Sequence, residues 1–286
     1  MSKGVLVFAR NNSDIDYVKQ ALFFAKQVKK HLNLPVAIAT DTPDYLESKF
    51  PFYSKYIDHV VNLEYSTSNY TYKTYSDGAL ASKRLEFKNN TRSLAYDITP
   101  FDETLLLDSD VIINDSKYLY CFDQPHNFLI YKNAYDLAGF RDTNEFDYIS
   151  DTSVEFYWAT CVFFRKSASN EIFFNLVKHV QENYAHYNSI FQMPYNVFRN
   201  DHAFSIALHI MSGYNTSDFA HPMPGKLYFI SDKDIMLDFK DGSFKFLVEK
   251  EKYIGEYTPI KFSNNTVHVM NKYSLDRYIN SESLDE

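Results

Sequence analysis

The stretch Glu103-Thr104-Leu105-Leu106-Leu107-Asp108-Ser109-Asp110-Val111-Ile112-Ile113 restricts this chain more than any other. Its apolar run is too short for an independent helix. It reads as a strand buried on both faces, the kind found in parallel sheets covered by helices. Two carboxylates one residue apart end it, and the carboxyl end of a strand is where open α/β sheets bind ligands. Neighbouring acids that lose hydration repel each other at considerable cost unless a cation joins them. A divalent metal is the reason to keep such a pair, and a phosphate-bearing substrate is the reason to keep the metal.

Position carries this inference, not the bare pattern. With 24 Asp in the chain, chance placement gives roughly two Asp-x-Asp triplets, and there are three. Asp14-Ile15-Asp16 follows Asn11-Asn12-Ser13 and opens an amphipathic segment, so it reads as helix capping and first-turn acid. Asp232-Lys233-Asp234 lies in a polar turn. Only Asp108-Ser109-Asp110 ends a buried strand.

Strands over 5–9, 36–39 and 57–62 alternate with helices over 14–31 and 43–50, a spacing that indicates right-handed βαβ units. From 64 to 77 the chain is Tyr-, Ser-, Thr- and Asn-rich without a period, which predicts a long surface loop of the lid type. A helix is expected over 78–96, ended by Thr99-Pro100. Segments 128–131 and 154–158 alternate as strands with one exposed face do, and 161–164 continues the second. Helices over 169–187 and 201–211, strands over 227–230, 244–248 and 266–270, and a last helix near 275–279 complete the pattern. The expected fold is α/β: a mixed, mainly parallel sheet flanked by helices, in one domain over 1–286. Its nucleotide-binding half is 1–115; 116–286 adds acceptor-side elaborations and the C-terminal segment.

The formal charge is −8, from 29 basic and 37 acidic residues, and the densest basic stretch, Lys26 to Lys30, reads as a solvated helix face. A general grip on nucleic acid needs clustered positive charge and has no support here. Cys121 and Cys161 lack metal-type spacing and read as buried free thiols of a reducing compartment. Met1-Ser2-Lys3-Gly4 runs straight into a strand, and no apolar stretch reaches membrane length. The expectation is a soluble, cytoplasmic protein.

In this order the parts resemble a GT-A glycosyltransferase, in particular family 8 (glycogenin and the bacterial lipopolysaccharide galactosyltransferases). The residues that carry the resemblance are the polar turn after the first strand, Arg92 ahead of the acidic strand, and Asp108-Ser109-Asp110. Trp158-Ala159-Thr160, Asn200-Asp201-His202 and Val267-His268-Val269-Met270-Asn271-Lys272 follow in sequence. The stretch NTRSLAYDITPFDET, from Asn90 to Thr104, also resembles glycosyltransferase-like proteins of tailed phages.

The resemblance implies a GT-A (Rossmann-like) fold and a hexosyltransferase that uses a nucleotide-sugar donor, UDP-linked, with Mn2+ or Mg2+ and retention of anomeric configuration. It assigns Asp108, Asp110 and His268 to the metal, with Asp108 also facing the ribose, and Lys272 to the diphosphate as a point charge. Arg92 and Asp201 become the catalytic candidates. Ala9, Arg10, Asn11, Asn12 and Asp41 become candidates for the base and ribose, and Ser109 lies within the donor motif. Trp158, Thr160, Asn200 and His202 become substrate-side candidates. Family members carry Gly between the late His and Lys, where this chain has Met270-Asn271, so the loop over the diphosphate is expected to differ.

Four of these residues, His268, Asn200, Asp201 and Trp158, have plainer roles available. A lone His on an apolar strand is commonly a satisfied core residue. Asn200 or Asp201 could be a helix N-cap, and Trp158 could be core. A haloacid-dehalogenase-type phosphatase also places Asp-x-Asp after an apolar strand, but on its first strand, whereas three strands precede this one. A calcium loop fails because Ile112 and Ile113 fall at ligand positions. A non-catalytic sugar- or nucleotide-binding module remains a third class. The acceptor is open among protein tyrosine, lipopolysaccharide, a small sugar and a hydroxymethylated phage DNA base.

Overall fold

The computed structural model describes residues 1–63, 71–151, 154–193, 197–214, 218–250, 253–282 and 284–285. Its first half runs β1 (Lys3–Phe8), α1 (Tyr17–His31), β2 (Val36–Thr40), α2 (Pro43–Lys49), β3 (His59–Asn62), β4 (Thr71–Ser76), β5 (Ser82–Phe87), α3 (Ala95–Ile98), β6 (Glu103–Leu107) and β7 (Val111–Ile112). Then come β8 (Phe128–Tyr131), β9 (Ala134–Asp136), β10 (Trp158–Arg165), α4 (Ala168–Glu182), α5 (Tyr184–Ile190) and α6 (Asn200–Met211). The chain ends with β11 (His221–Pro222), β12 (Leu227–Ile230), β13 (Ile235–Lys240), β14 (Ser243–Glu249), β15 (Tyr257–Ser263), β16 (Val267–Val269) and α7 (Lys272–Ser281).

The main sheet has seven strands in the order β11-β8-β10-β6-β1-β2-β3. All neighbours are parallel except β10, which runs antiparallel to both β6 and β8. This is the expected class, a mixed and mainly parallel sheet flanked by helices. Every residue of β6 is buried, which is why its sequence is an unbroken apolar run. Asp16 caps α1 by accepting from the Lys19 amide at 2.9 Å, and Val18, Ala21, Leu22, Ala25 and Val28 fill its inward face.

A second sheet, β7-β16-β12-β9, continues from the acidic strand. β16 runs antiparallel to β7 with His268 opposite Val111. That register carries a residue from near the C-terminus to the side of Asp110.

Several expectations are corrected. Residues 64–70 of the expected loop lie outside the described residues, and 71–76 is strand. It pairs with β5 in an antiparallel hairpin, so most of the helix expected over 78–96 is absent and only 95–98 is α-helical. Gly78, at a φ of 75°, provides the left-handed turn the hairpin needs. Residues 154–157 are outside β10, and β8 and β10 are buried on both faces rather than one. On one side Phe173 of α4 packs 4.6 Å from Phe128; on the other, Trp158 meets Phe229 of β12 at 5.4 Å. The helix over 169–187 is broken at Asn183, and β13 and β15 join β14 in a three-stranded sheet. Among the described residues, no helix is long and apolar enough to cross a membrane.

Candidate metal and phosphate site

Beyond the end of β6 lies a cleft of about 700 Å³. Its floor is Asp108, Ser109, Asp110, His268 and Lys272; Arg92, Thr160 and Asp201 add to one side, and the β4–β5 hairpin forms a wall. Asp108, Asp110 and His268 each turn a ligating atom into one space, and the three atoms lie within 4.8 Å of one another. Two carboxylates and an imidazole form a donor set suited to a divalent cation.

The His268 ring fits that role. Burial holds its pKa below the ordinary imidazole value, against the opposing pull of Asp108 and Asp201, so the neutral, ligating form prevails at pH 7. Its Nε2 lies 3.0 Å from Asp110 Oδ2, and its buried Nδ1 has no partner among the described residues. An imidazole satisfied by the fold alone leaves no buried nitrogen unpaired.

Each acid of the pair already has a cation. Arg92, buried at the start of a short 3-10 turn before α3, donates Nη1 to Asp108 Oδ1. Its Nη2 donates to the Thr160 carbonyl at 3.1 Å and the Leu106 carbonyl at 3.3 Å. Those contacts hold the guanidinium under the strand end. Lys272 donates to Asp110 Oδ2, and burial draws its ammonium down to about 8 while Asp108 and Asp276 pull it up. Exposure separates the two acids: the Asp108 side chain is 39% exposed to the cleft, whereas that of Asp110 is 3% exposed.

The Met270-Asn271 departure has a local cause. Asn271 caps α7, accepting from the Ser274 amide at 2.8 Å and donating to the Asp234 carbonyl at 2.7 Å. Lys272 is therefore the first residue of a capped helix, aimed by that cap. Asp234 itself is fully buried and holds Arg141 through both its oxygens, so the acidic triplet ending at Asp234 includes a structural acid.

On the acceptor side, Asp201 lies in the first turn of α6. Its Oδ1 accepts from the Ala159 amide at 3.0 Å, and its Oδ2 from Arg199 at 3.2 Å. Burial favours its neutral form, but Arg199, His202 and Lys73 outweigh it and hold the carboxyl below the usual range. The N-cap is Arg199, without a side-chain capping bond, so neither Asn200 nor Asp201 caps this helix. Asn200 ties α6 to the hairpin's end through the Asn89 carbonyl at 3.1 Å.

Other candidates fall elsewhere. Arg10 and Asp41 form a buried ion pair at 3.1 Å. Asn11 accepts from the Val18 amide, and Asn12 accepts from Ile15 and donates to Glu86, while the Ala9 amide bonds the Ala39 carbonyl. These groups are engaged in holding the start of α1 and the hairpin, and none of them lines the cleft. Burial lowers the pKa of His202 to about 4; its Nδ1 lies 2.9 Å from the Tyr184 hydroxyl, and it too is absent from the lining. Trp158 reaches the cleft wall but is 1% exposed. It is enclosed by Phe146, Phe156 and Phe229, which removes the open ring face that sugar stacking needs.

The sequence reading missed Lys73, Tyr75, Arg84 and Asn89, which the hairpin brings to the cleft, and Arg199, which pairs Asp201. The one signal for the hairpin was its alternation, with Tyr75 and Leu85 buried and Tyr72, Thr74 and Arg84 exposed.

No family model and no curated protein matches the chain. Solved structures of similar shape include glycosyltransferases. GlyE of Streptococcus pneumoniae TIGR4 aligns at 14% identity and a TM-score of 0.44, over 78% of this chain and 45% of that one. An active-site mutant of LgtC aligns at 12% identity and a TM-score of 0.44, over 80% of this chain and 72% of that one. The galactosyltransferase LgtC in complex with donor and acceptor sugar analogs aligns at 13% identity and a TM-score of 0.39, covering 66% and 70%.

Proposed function

We propose that this protein is a metal-dependent glycosyltransferase that moves a sugar from a nucleotide-sugar donor, UDP-linked, to an acceptor hydroxyl. The observation that carries the reading is the convergence of Asp108, Asp110 and His268 on one space at the floor of a cleft, with Lys272 and Arg92 already beside the acids. In this reading Asp108, Asp110 and His268 hold Mn2+ or Mg2+, which when bound offsets the charge that grows on the leaving diphosphate. Lys272 exchanges Asp110 for a diphosphate oxygen and acts there as a point charge. Arg92 keeps Asp108 aimed at the cleft. Asp201, held ionised beside the donor sugar, orients the reacting groups. Retention of configuration follows from the resemblance alone.

The acceptor side is a cleft rather than a broad basic face, and the formal charge of −8 disfavours extended contact with duplex DNA. A carbohydrate hydroxyl is therefore the first acceptor to test, with a modified DNA base second. Cys121 and Cys161, both buried and unbridged, fit a reducing, cytoplasmic setting. Calorimetric titration with UDP, with and without Mn2+, tests the reading. Binding that strengthens with metal supports it; wild-type protein that binds no UDP in either condition overturns it. A donor panel scored for sugar-nucleotide hydrolysis, which needs no acceptor, then identifies the sugar.

A further inference from the structure

Three ion pairs account for most of the charge around the cleft: Arg92 with Asp108, Lys272 with Asp110, and Arg199 with Asp201. Lys73 is left over. It lines the cleft, yet among the described residues its ammonium makes no salt bridge and no hydrogen bond. Its Nζ rests 3.5 Å from the centroid of the Phe87 ring.

The hairpin register makes this placement unusual. Lys73 stands opposite Leu85, Thr71 opposite Phe87 and Tyr75 opposite Lys83, so these six share one face, on which Lys83 reaches Asp14. Tyr75 and Leu85 are buried. Strand alternation thus puts this ammonium on the face that buries Tyr75 and Leu85, against the Phe87 ring, where a charge without a counter-ion is disfavoured. Such a conflict between local pattern and placement is the mark of a functional residue. Burial draws this ammonium down to about 7; Arg199 and Lys272 push the same way, and Asp201 and Asp108 oppose. Lys73 is therefore within the field of Asp108 on the cleft floor and of Asp201.

We propose that Lys73 is an oxyanion-binding residue, reaching from the hairpin wall to hold a phosphate group placed between Asp108 and Asp201. The phosphate can come from the donor's diphosphate or from a phosphorylated acceptor. The inference rests on the cleft being a phosphate site, and its test is built so that it can fail separately from the transferase reading.

The test uses the full chain and the variants Lys73→Met, which suits contact with the Phe87 ring, and Lys73→Arg, which restores the charge. Calorimetry is run with Mn2+ alone, with pyrophosphate, with UDP plus Mn2+, and with inorganic phosphate added to UDP-loaded protein. Lys73→Met binds Mn2+ as wild type does and loses on the order of 10- to 100-fold in oxyanion affinity, the worth of one charge-assisted hydrogen bond. Lys73→Arg recovers most of that loss. If the donor supplies the phosphate, the loss falls on UDP–Mn2+ and pyrophosphate. If the acceptor supplies it, UDP–Mn2+ binding stays unchanged and phosphate binding to the loaded protein disappears. In either case Lys73→Met melts at or above the wild-type temperature, because an unpaired charge has left the side of the Phe87 ring. Wild-type affinity of Lys73→Met for every oxyanion overturns the proposal, as does a wild type that binds none of them. A wild type that binds pyrophosphate through Lys73 but no UDP overturns the transferase reading and leaves Lys73 standing.

Discussion

Asp110→Asn removes one charge and almost no volume from the floor of the cleft. Asp110 is 2% exposed and carries two partners, Lys272 and His268, on one oxygen. The amide keeps an acceptor for Lys272 but leaves that ammonium without its carboxylate. Breaking a buried pair from one side costs 3–5 kcal/mol, and the Lys272 side chain, 16% exposed, keeps some hydration, so about 3 kcal/mol is expected. For a chain of 286 residues that lowers Tm by roughly 5 °C in metal-free buffer. A second readout separates this from simple damage. Wild type gains about 2.7 kcal/mol at a metal concentration of 100 times Kd, whereas the variant, with one of its two acidic ligands neutralised, shows no metal-induced rise in Tm. Sugar-nucleotide hydrolysis falls by at least ~10²-fold, the worth of one preorganised contact to a developing oxyanion. Wild-type hydrolysis together with a wild-type metal shift in Asp110→Asn would refute the assignment of the floor.

Asp201→Asn keeps an acceptor for the Ala159 amide, so it retains UDP–Mn2+ affinity in calorimetry while turnover falls roughly 10²-fold; loss of UDP binding instead would place Asp201 in the donor site. Oxyanion binding weakens as pH rises through about 7, where Lys73 loses its proton, with Asp108 and Asp201 pulling that value up and Arg199 and Lys272 pushing it down. At pH 8 pyrophosphate binding therefore takes up protons, which appears as an observed enthalpy that varies with the ionisation heat of the buffer; no buffer dependence contradicts it. The stability effect has the opposite sense. Lys73 titrates near 10.4 when unfolded, so the unfolded chain binds the extra proton between about 7 and 10.4 and this residue's contribution to stability rises with pH over that window. Mn2+ and UDP tighten each other's binding by the same factor, as titration of each in the presence of the other will report.

What the sequence disclosed depended on how local the cause was. The β6 strand and its terminal acids were readable because burial on both faces leaves an unbroken apolar run. α1 was readable because its cap, Asp16, and its inward residues lie within one short window. His268 had no such signal. Its neighbour Asp110 is 158 residues away, and only the pairing of β16 with β7 joins them, so the resemblance pointed to it before the residues could. Arg10 and Asp41 looked available for a ligand because each sits in a polar turn. Their use of each other depends on β1 and β2 lying side by side, which no single turn reveals. The hairpin was lost for a different reason: the face that carries Tyr75, Leu85 and Phe87 also carries Thr71, Lys73 and Lys83, too few apolar residues to set a period of two.

The pairing of charges in the cleft explains why metal and diphosphate are expected to arrive together. Each floor acid has a cation supplied by a different element: Arg92 from the turn before α3 for Asp108, and Lys272 from the start of α7 for Asp110. For Asp110 to hold a metal alone, it would have to release Lys272 and leave a poorly hydrated ammonium unpaired, which would cost part of the binding energy. A diphosphate binding alone would meet the two carboxylates and would be held more weakly than with metal present. With both present, Asp108, Asp110 and His268 would hold the metal while Lys272 and, from the hairpin, Lys73 would bind phosphate oxygens. Lys73 fits this scheme because it has no carboxylate to give up. Among the described residues its ammonium has no salt bridge and no hydrogen bond in the resting fold, so an entering anion offsets the cost of placing it there.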